Sequence, residues 1–216
     1  AITVQAALNE LDTEKAPLAS PTFTGTITSG AISSTGTISA TAFVGDGSGL
    51  TNLPSSGDTH YIGESYGGGI VFYVYDNGKH GLIAATSDQS TGIRWYGGSN
   101  TNTRPRADGV AAGLKNTAII IANQGAVDGN AFAATVCNEY SVTVDGVTYG
   151  DWYLPSKHEL NLLNLQKTVV GGFAVSVYWS STEGANFYAW GQDFYNGHQY
   201  DYGKASTFDV RAIRAF

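Results

Sequence analysis

Asp151-Trp152-Tyr153-Leu154-Pro155-Ser156-Lys157-His158-Glu159-Leu160-Asn161-Leu162-Leu163 is the stretch on which the fold class turns. Ser156 followed three residues later by Glu159 is a capping box, with Pro155 beside the cap. Leu160, Leu163 and Gln166 continue the helix, and Leu162 and Leu165 widen its apolar face. Upstream, Ile70 to Tyr75 and Leu82 to Ala85 read as strands joined by a turn at Asn77-Gly78. Asn116 is placed as the cap of a helix through Ile119, Ile120 and Ala122, and a further helix is expected over roughly Ala131 to Tyr140. Val142 to Val147 reads as a small hairpin around Asp145-Gly146. From Tyr178 onward, short strands alternate with Gly-rich turns. The expectation is an α+β domain built on an antiparallel sheet.

The composition removes several functions. The 216 residues carry a net charge of −7, from eleven Lys and Arg against eighteen Asp and Glu. An acidic, lysine-poor chain lacks the clustered cations that nucleic acid or an anionic membrane requires. One Cys excludes a disulfide framework and a multi-thiolate metal site. No run, Ala118 to Ala122 included, approaches the roughly 20 apolar residues of a membrane span. The start at Ala1, without Met or a signal-type h-region, reads as a fragment or processed product.

The chain divides near Gly57. Residues 1–56 hold two aromatics, Phe23 and Phe43, among eighteen Ser and Thr and five charges. Such a segment cannot bury enough apolar surface to fold alone. Either it is disordered or it shares a core with other chains. Val4, Leu8, Leu11 and Lys15 lie on one seam at coiled-coil spacing, and Ala16-Pro17 stops that helix. Ile27, Ile32 and Ile38 then recur singly among Thr, Ser and Gly, as in short β-turn units with one inward residue each. Three chains wound together would supply the missing core; the competing reading is a flexible Ser/Thr linker.

Two resemblances give these segments a context. Ala16-Pro17-Leu18-Ala19-Ser20-Pro21-Thr22-Phe23-Thr24-Gly25 resembles an element of phage tail-fibre proteins. Ala42-Phe43-Val44-Gly45-Asp46-Gly47-Ser48-Gly49-Leu50-Thr51-Asn52 resembles one that precedes globular tips in fibres and adhesins. This resemblance implies a trimeric shaft over 1–56. Residues 60–216 resemble the C-terminal domain family of the Legionella collagen-like adhesin. The residues that carry this are Tyr61-Ile62-Gly63-Glu64-Ser65-Tyr66-Gly67-Gly68-Gly69-Ile70, Asp151-Trp152-Tyr153-Leu154-Pro155-Ser156-Lys157, Tyr178-Trp179-Ser180-Ser181-Thr182-Glu183 and Val210-Arg211-Ala212-Ile213-Arg214-Ala215-Phe216. It implies a C-type-lectin-like domain over 57–216. Many members are targets of diversity-generating retroelements, which implies a variable region over about 186–209 with variable sites at Gly191, Asp193, Tyr195, His198, Tyr200, Asp201, Tyr202, Ala205, Ser206 and Asp209.

Codon arithmetic is consistent with that set. Randomising the adenines of an Asn codon leaves a pyrimidine third base, which never encodes Trp, Gln, Lys, Glu or Met. None of the ten positions holds those types; Trp190, Gln192, Gln199 and Lys204 fall where the family pattern is fixed. The physical case for binding is separate. Tyr188, Tyr195, Tyr200 and Tyr202 cluster with Asp193, His198 and Asp201, and Tyr offers a large, stiff contact surface with a hydroxyl. With a tight turn at Asn196-Gly197, strand alternation sets Trp190, Gln192 and Phe194 on one face and Gly191, Asp193 and Tyr195 on the other. Trp190, Phe194, Phe208, Val210 and Ile213 are the expected anchors. Arg211 and Arg214 are expected to tie down the last strand through carboxylates or carbonyls.

Catalytic patterns are poorly supported. Gly63-Glu64-Ser65-Tyr66-Gly67 fits G-x-S-x-G, but that nucleophile elbow needs a strand before it and a helix after, and here a strand-like run follows. Cys137 reads as a small buried apolar residue. His60, His80, His158 and His198 show no paired ligand spacing. A calcium site would draw on Asp145, Asp151, Asp193 and Asp201, but no loop has the ligand periodicity and the lectin-type calcium signature is absent, so no cofactor or metal is expected. The expected function is host-receptor binding, without catalysis, by a homotrimeric tip located on a virion tail fibre. The alternatives are a secreted or surface-anchored bacterial adhesin and a polysaccharide-degrading fibre enzyme.

Overall fold

A computed structural model describes residues 59–125 and 127–216; the shaft expected over 1–56 lies outside the described residues. Two sheets organise the domain. In the first, β1 (Ser65–Tyr66), β2 (Gly69–Tyr75), β3 (His80–Ala84) and β11 (Ile213–Ala215) lie in the order β1-β2-β3-β11, all antiparallel. Strand β11 thus pairs with β3 in the sheet that β1 and β2 open. The second sheet has the order β4-β10-β7-β8-β9, from β4 (Ser90–Ile93), β7 (Val177–Ala185), β8 (Tyr188–Asp193), β9 (Gln199–Gly203) and β10 (Phe208–Val210). Only the β10–β7 pairing is parallel. A separate hairpin joins β5 (Val142–Val144) to β6 (Val147–Tyr149). Its turn residues Asp145 and Gly146 have φ of 50° and 80°, the left-handed pair that a two-residue hairpin turn needs.

Among the described residues, four α-helices complete this α+β architecture: α1 (Ala112–Gln124), α2 (Ala133–Asn138), α3 (Lys157–Leu165) and α4 (Lys167–Val170). Strands β2 and β7 are covered on both faces over most of their length. Val71 and Phe72 are neighbours on β2 yet enter different apolar clusters, as do Trp152 and Tyr153, and Tyr178 and Trp179. One cluster is built around Trp95, Trp152, Trp179 and Phe132, the other around Tyr153, Leu160, Leu163, Tyr178 and Phe194. Ser65 lies in β1 and leads into β2 with no helix, so the G-x-S-x-G spacing is not a nucleophile elbow here.

Helix α1 departs from expectation. It begins at Ala112 rather than at Asn116, and the Asn116 side chain instead brackets Ala107, accepting from its N–H and donating to its carbonyl. The start of α1 has no local side-chain cap. Its first N–H groups are met by Glu159 of α3: Oε1 accepts from Ala111 N at 2.8 Å and Oε2 from Gly113 N at 3.0 Å. Glu159 also accepts from Ser156 N at 2.8 Å and from the Tyr153 hydroxyl at 3.0 Å. The capping box read from the sequence is present, but its carboxylate caps a second, distant helix as well. Burial pushes the Glu159 carboxyl up against these donors. Gly113 is required for this approach, since a Cβ there would lie 2.5 Å from Glu159 Oε2 and 2.6 Å from the Leu154 carbonyl.

Candidate functional site

The tyrosine-rich region forms the β8–β9 hairpin, and β9 is the outer strand of its sheet. Cross-strand partners run from Tyr188↔Gly203 to Gln192↔Gln199. Directly opposed residues share a face, so Ala189, Gly191, Tyr200 and Tyr202 lie on one side and Tyr188, Trp190, Gln192, Gln199 and Asp201 on the other. The connection is longer than the tight turn expected at Asn196-Gly197. Asp193 N donates to His198 O at 2.9 Å, leaving four residues in the loop, of which Gly197 takes φ 78°. Asp193 closes that loop: its carboxylate accepts from Tyr195 N and from the Asn196 amide, each at 2.8 Å. It is a turn-forming residue here, with its oxygens already engaged.

The first face carries an aromatic row. The His198 and Tyr200 rings meet edge-on with Nδ1 3.1 Å from the Tyr200 hydroxyl oxygen. Tyr200 meets Tyr202 at 6.2 Å between centroids, Tyr202 meets Phe208 at 4.8 Å, and Phe208 meets the buried Trp179 at 4.6 Å. The row therefore grades from exposed (His198, Tyr200) to core. Burial, then the charge of Asp193 and the neighbouring Tyr200, raises the Tyr202 hydroxyl. On the other face the Lys157 ammonium lies 3.5 Å above the Trp190 ring. Gln192 is buried there, donating to Asn161 and Gly197 O, while Gln199 donates to Lys157 O and Gln192 Oε1. Tyr195, at the loop tip and 76% exposed, borders a cleft of about 360 Å³ lined also by Lys167, Phe173 and Val175.

The expected site residues thus separate. Tyr188, Tyr195, His198, Tyr200, Asp201 and Ala205 are exposed, and Tyr202 and Ser206 are half-buried. Two expectations need correction. Gly191 is buried beneath Tyr202, where a Cβ would sit 3.2 Å from that ring and 3.1 Å from Tyr178 O. Asp209, 4% exposed, lies beside Tyr178 in the parallel pairing. Burial raises its carboxyl and the charge of Asp88 raises it further, against a hydrogen bond from Ser176. The expectation of a single outward face also fails, because β8 is an interior strand of its sheet; the exposed side chains wrap around β9 instead. Of the expected anchors, Phe194, Val210 and Ile213 are buried, Phe208 packs against the tryptophan cluster and Trp190 is half-covered.

Beneath the hairpin lies an ion pair that sequence reading missed. Lys204 Nζ meets Glu183 Oε1 at 2.6 Å, with both side chains fully buried. Glu183 also accepts from Thr103 N, Thr103 Oγ1 and Arg104 N, and Lys204 donates to Thr101 O above the Trp95 ring. Burial pushes the Glu183 carboxyl up, but the donors of Lys204, Thr103 and Arg104 outweigh it and hold it below the usual range. Burial lowers the Lys204 ammonium. The pair pins the end of β9 to the 101–104 loop. The one available signal was Lys204 standing as a lone cation in a stretch otherwise rich in Tyr, Gly and Asp. Arg211 and Arg214 act as expected: Arg211 reaches Asp88 at 2.6 Å and the carbonyls of Ala85 and Gly172, and Arg214 grips Asp151 through two bonds.

Asp151 is therefore engaged by Arg214 and Asp193 by its own turn. Among the described residues, no three His, Cys, Asp or Glu side chains gather as metal ligands would. Cys137 is buried in α2 and burial raises its thiol well above the ordinary range, so it is core rather than nucleophile. The fold and the hairpin together define an α+β domain that presents an aromatic, partly acidic surface from a rigid base. The chain belongs to the Lcl C-terminal domain family, which matches it over residues 84–214. That span includes the second sheet, all four helices and the hairpin, and the membership points to an adhesin-like binding domain. No curated protein matches the chain.

Proposed function

We propose that this domain is a receptor-binding tip with a C-type-lectin-like fold, whose β8–β9 hairpin contacts a surface receptor on a host cell. The observation that carries this reading is the contrast within the hairpin. Tyr195 and Tyr200 stand in solvent while Phe194, Gln192 and Lys204 lock the same few residues into the interior. Exposed tyrosines on a preorganised base lose little entropy on docking. Tyr195, Tyr200, Asp201, Ala205 and Ser206 are the positions free to vary without disturbing the core, which accords with diversification by a retroelement. The fibre-like motifs of residues 16–52 favour carriage on a homotrimeric phage tail fibre, where three copies raise avidity by about 10²–10⁴ over one contact. A secreted or surface-anchored adhesin would use the same surface, and neither reading makes or breaks a bond.

The test is attachment of the labelled chain to cells. Tyr195→Ala and Tyr200→Ala together should abolish attachment while changing stability by less than about 0.5 kcal/mol each, as expected for exposed positions. Tyr202 is left intact because it packs on Trp179 and Phe208. Undiminished attachment with normal melting would remove the hairpin from the receptor surface.

A further inference from the structure

Among the described residues, the outer edge of β9 is unoccupied by main-chain partners. Asp193 N donates to His198 O and Lys204 N to Phe187 O, each at 2.9 Å. Between those two points the antiparallel ladder alternates, so Tyr200 and Tyr202 direct their main-chain groups to β8 and Gln199, Asp201 and Gly203 direct theirs outward. Gly203 O is taken by Ser206 N at 2.9 Å. Among the described residues nothing pairs with the N–H and C=O of Gln199 and Asp201 or with the N–H of Gly203. The opposite edge of the sheet, β4, has an irregular register with β10 and runs straight into contacts made by Arg94 O with Ala133 N and by Trp95 N with Lys204 O. Gln199-Tyr200-Asp201-Tyr202-Gly203 has no Pro, no Lys and an unbroken register with β8, so the charge of Asp201 is the one device that guards this open edge.

The side chains flanking that edge differ by face. Tyr200 and Tyr202 offer aromatic surface on one side. On the other, the exposed carboxylate of Asp201 has no ion pair or hydrogen bond among the described residues, and the Lys157 ammonium on that face is seated over Trp190. A second copy of the chain fits poorly. The symmetric register that uses all three outward residues sets Asp201 directly opposite Asp201, a like-charge pair.

We propose that β9 is a strand-addition site. An extended segment of a partner protein pairs main chain to main chain with Gln199, Asp201 and Gly203. It sets Lys or Arg opposite Asp201 and aliphatic or aromatic side chains over Tyr200 and Tyr202. This rests on the hairpin being the receptor surface, and it makes the receptor a protein with an accessible basic strand rather than a glycan.

The probe is a blocked synthetic peptide, Thr-Val-Lys-Val-Lys-Val-Thr, and the same peptide N-methylated at its two Lys, the residues whose N–H would face β9. Binding to the full chain is followed by calorimetry, and amide hydrogen exchange locates it. The expected result is slowed exchange at Gln199, Asp201 and Gly203, with affinity weakened about tenfold or more by methylation, which removes donors but no charge. Asp201→Lys should abolish binding of this peptide and admit one with Glu in place of Lys. Equal binding of the methylated peptide, protection elsewhere, or no binding at millimolar peptide overturns the proposal. So does concentration-dependent protection of the three amides without peptide, which would make a second copy the occupant. Cell attachment that is lost after glycosidase but survives protease treatment also overturns it. That result leaves the receptor-binding hairpin standing, since the tyrosine variants test the hairpin separately.

Discussion

Replacing Lys204 by Met removes one charge from a fully buried pair while roughly preserving side-chain length. Glu183 then keeps its hydrogen bonds from Thr103 N (2.8 Å), Thr103 Oγ1 (2.9 Å) and Arg104 N (2.7 Å) but loses the ammonium at 2.6 Å. Removing one partner of a buried pair leaves an uncompensated charge and costs about 3–5 kcal/mol. At about 2–4 °C per kcal/mol for a domain of this size, the melting temperature should fall by about 6–20 °C. The sign of the pH dependence follows from the charges. In the parent, Glu183 sits below its ordinary range, so the pair's contribution is present above the unfolded-state value and is lost as pH falls. In the variant one of the donors that held it down is gone, so burial raises its carboxyl relative to the parent. Protonation then relieves the orphaned charge, and the deficit relative to the parent should shrink as pH is lowered from 7 toward about 5. Denaturant unfolding of the parent, Lys204→Met and Lys204→Met/Glu183→Gln at both pH values measures this. The double variant should recover part of the loss. A single-variant cost below about 1 kcal/mol, the level of exposed pairs, with no pH dependence of the deficit, would refute the reasoning.

Three further outcomes are expected. Asp209→Asn should raise the melting temperature at pH 7, because burial and Asp88 raise the native carboxyl and make its ionised form costly. A raised native value means this group favours folding below its unfolded value and opposes it as pH climbs, so the gain should vanish below about pH 4 in thermal scans. Gly113→Ala should destabilise by about 1–3 kcal/mol in urea titrations, since the added Cβ meets the Glu159 carboxylate and the Leu154 carbonyl in a packed interior. A chain beginning at Gly57 should lose trimer mass in light scattering while retaining its melting transition; persistence of the trimer would place assembly in the globular domain.

Much of the architecture could be read residue by residue. The Ser156–Glu159 capping box, the Asp145-Gly146 turn and the strand over Ile70 to Tyr75 are local patterns, each enforced by neighbours a few positions away, and they appear where their patterns place them. The tyrosine-rich stretch was legible as a hairpin for the same reason. The start of α1 was not, because its cap is a carboxylate that arrives from α3, 46 and 48 residues away. Asp209 and Gly191 passed as surface positions because residue type and codon class carry no information about what packs above them.

The sequence by itself determined the class of domain, the strand and helix periods, and which stretch is rich in the stiff aromatic side chains that binding surfaces use. Those properties reside in backbone preferences and in contacts between residues near in the chain. Only the tertiary structure decided that the hairpin lies at the rim of its sheet, that Glu183 and Lys204 meet in its foundation, and that the exposed tyrosines surround an open strand edge instead of sharing one face. Strand order and charge pairing across the fold depend on which distant segments exclude water together, and no local pattern records that choice.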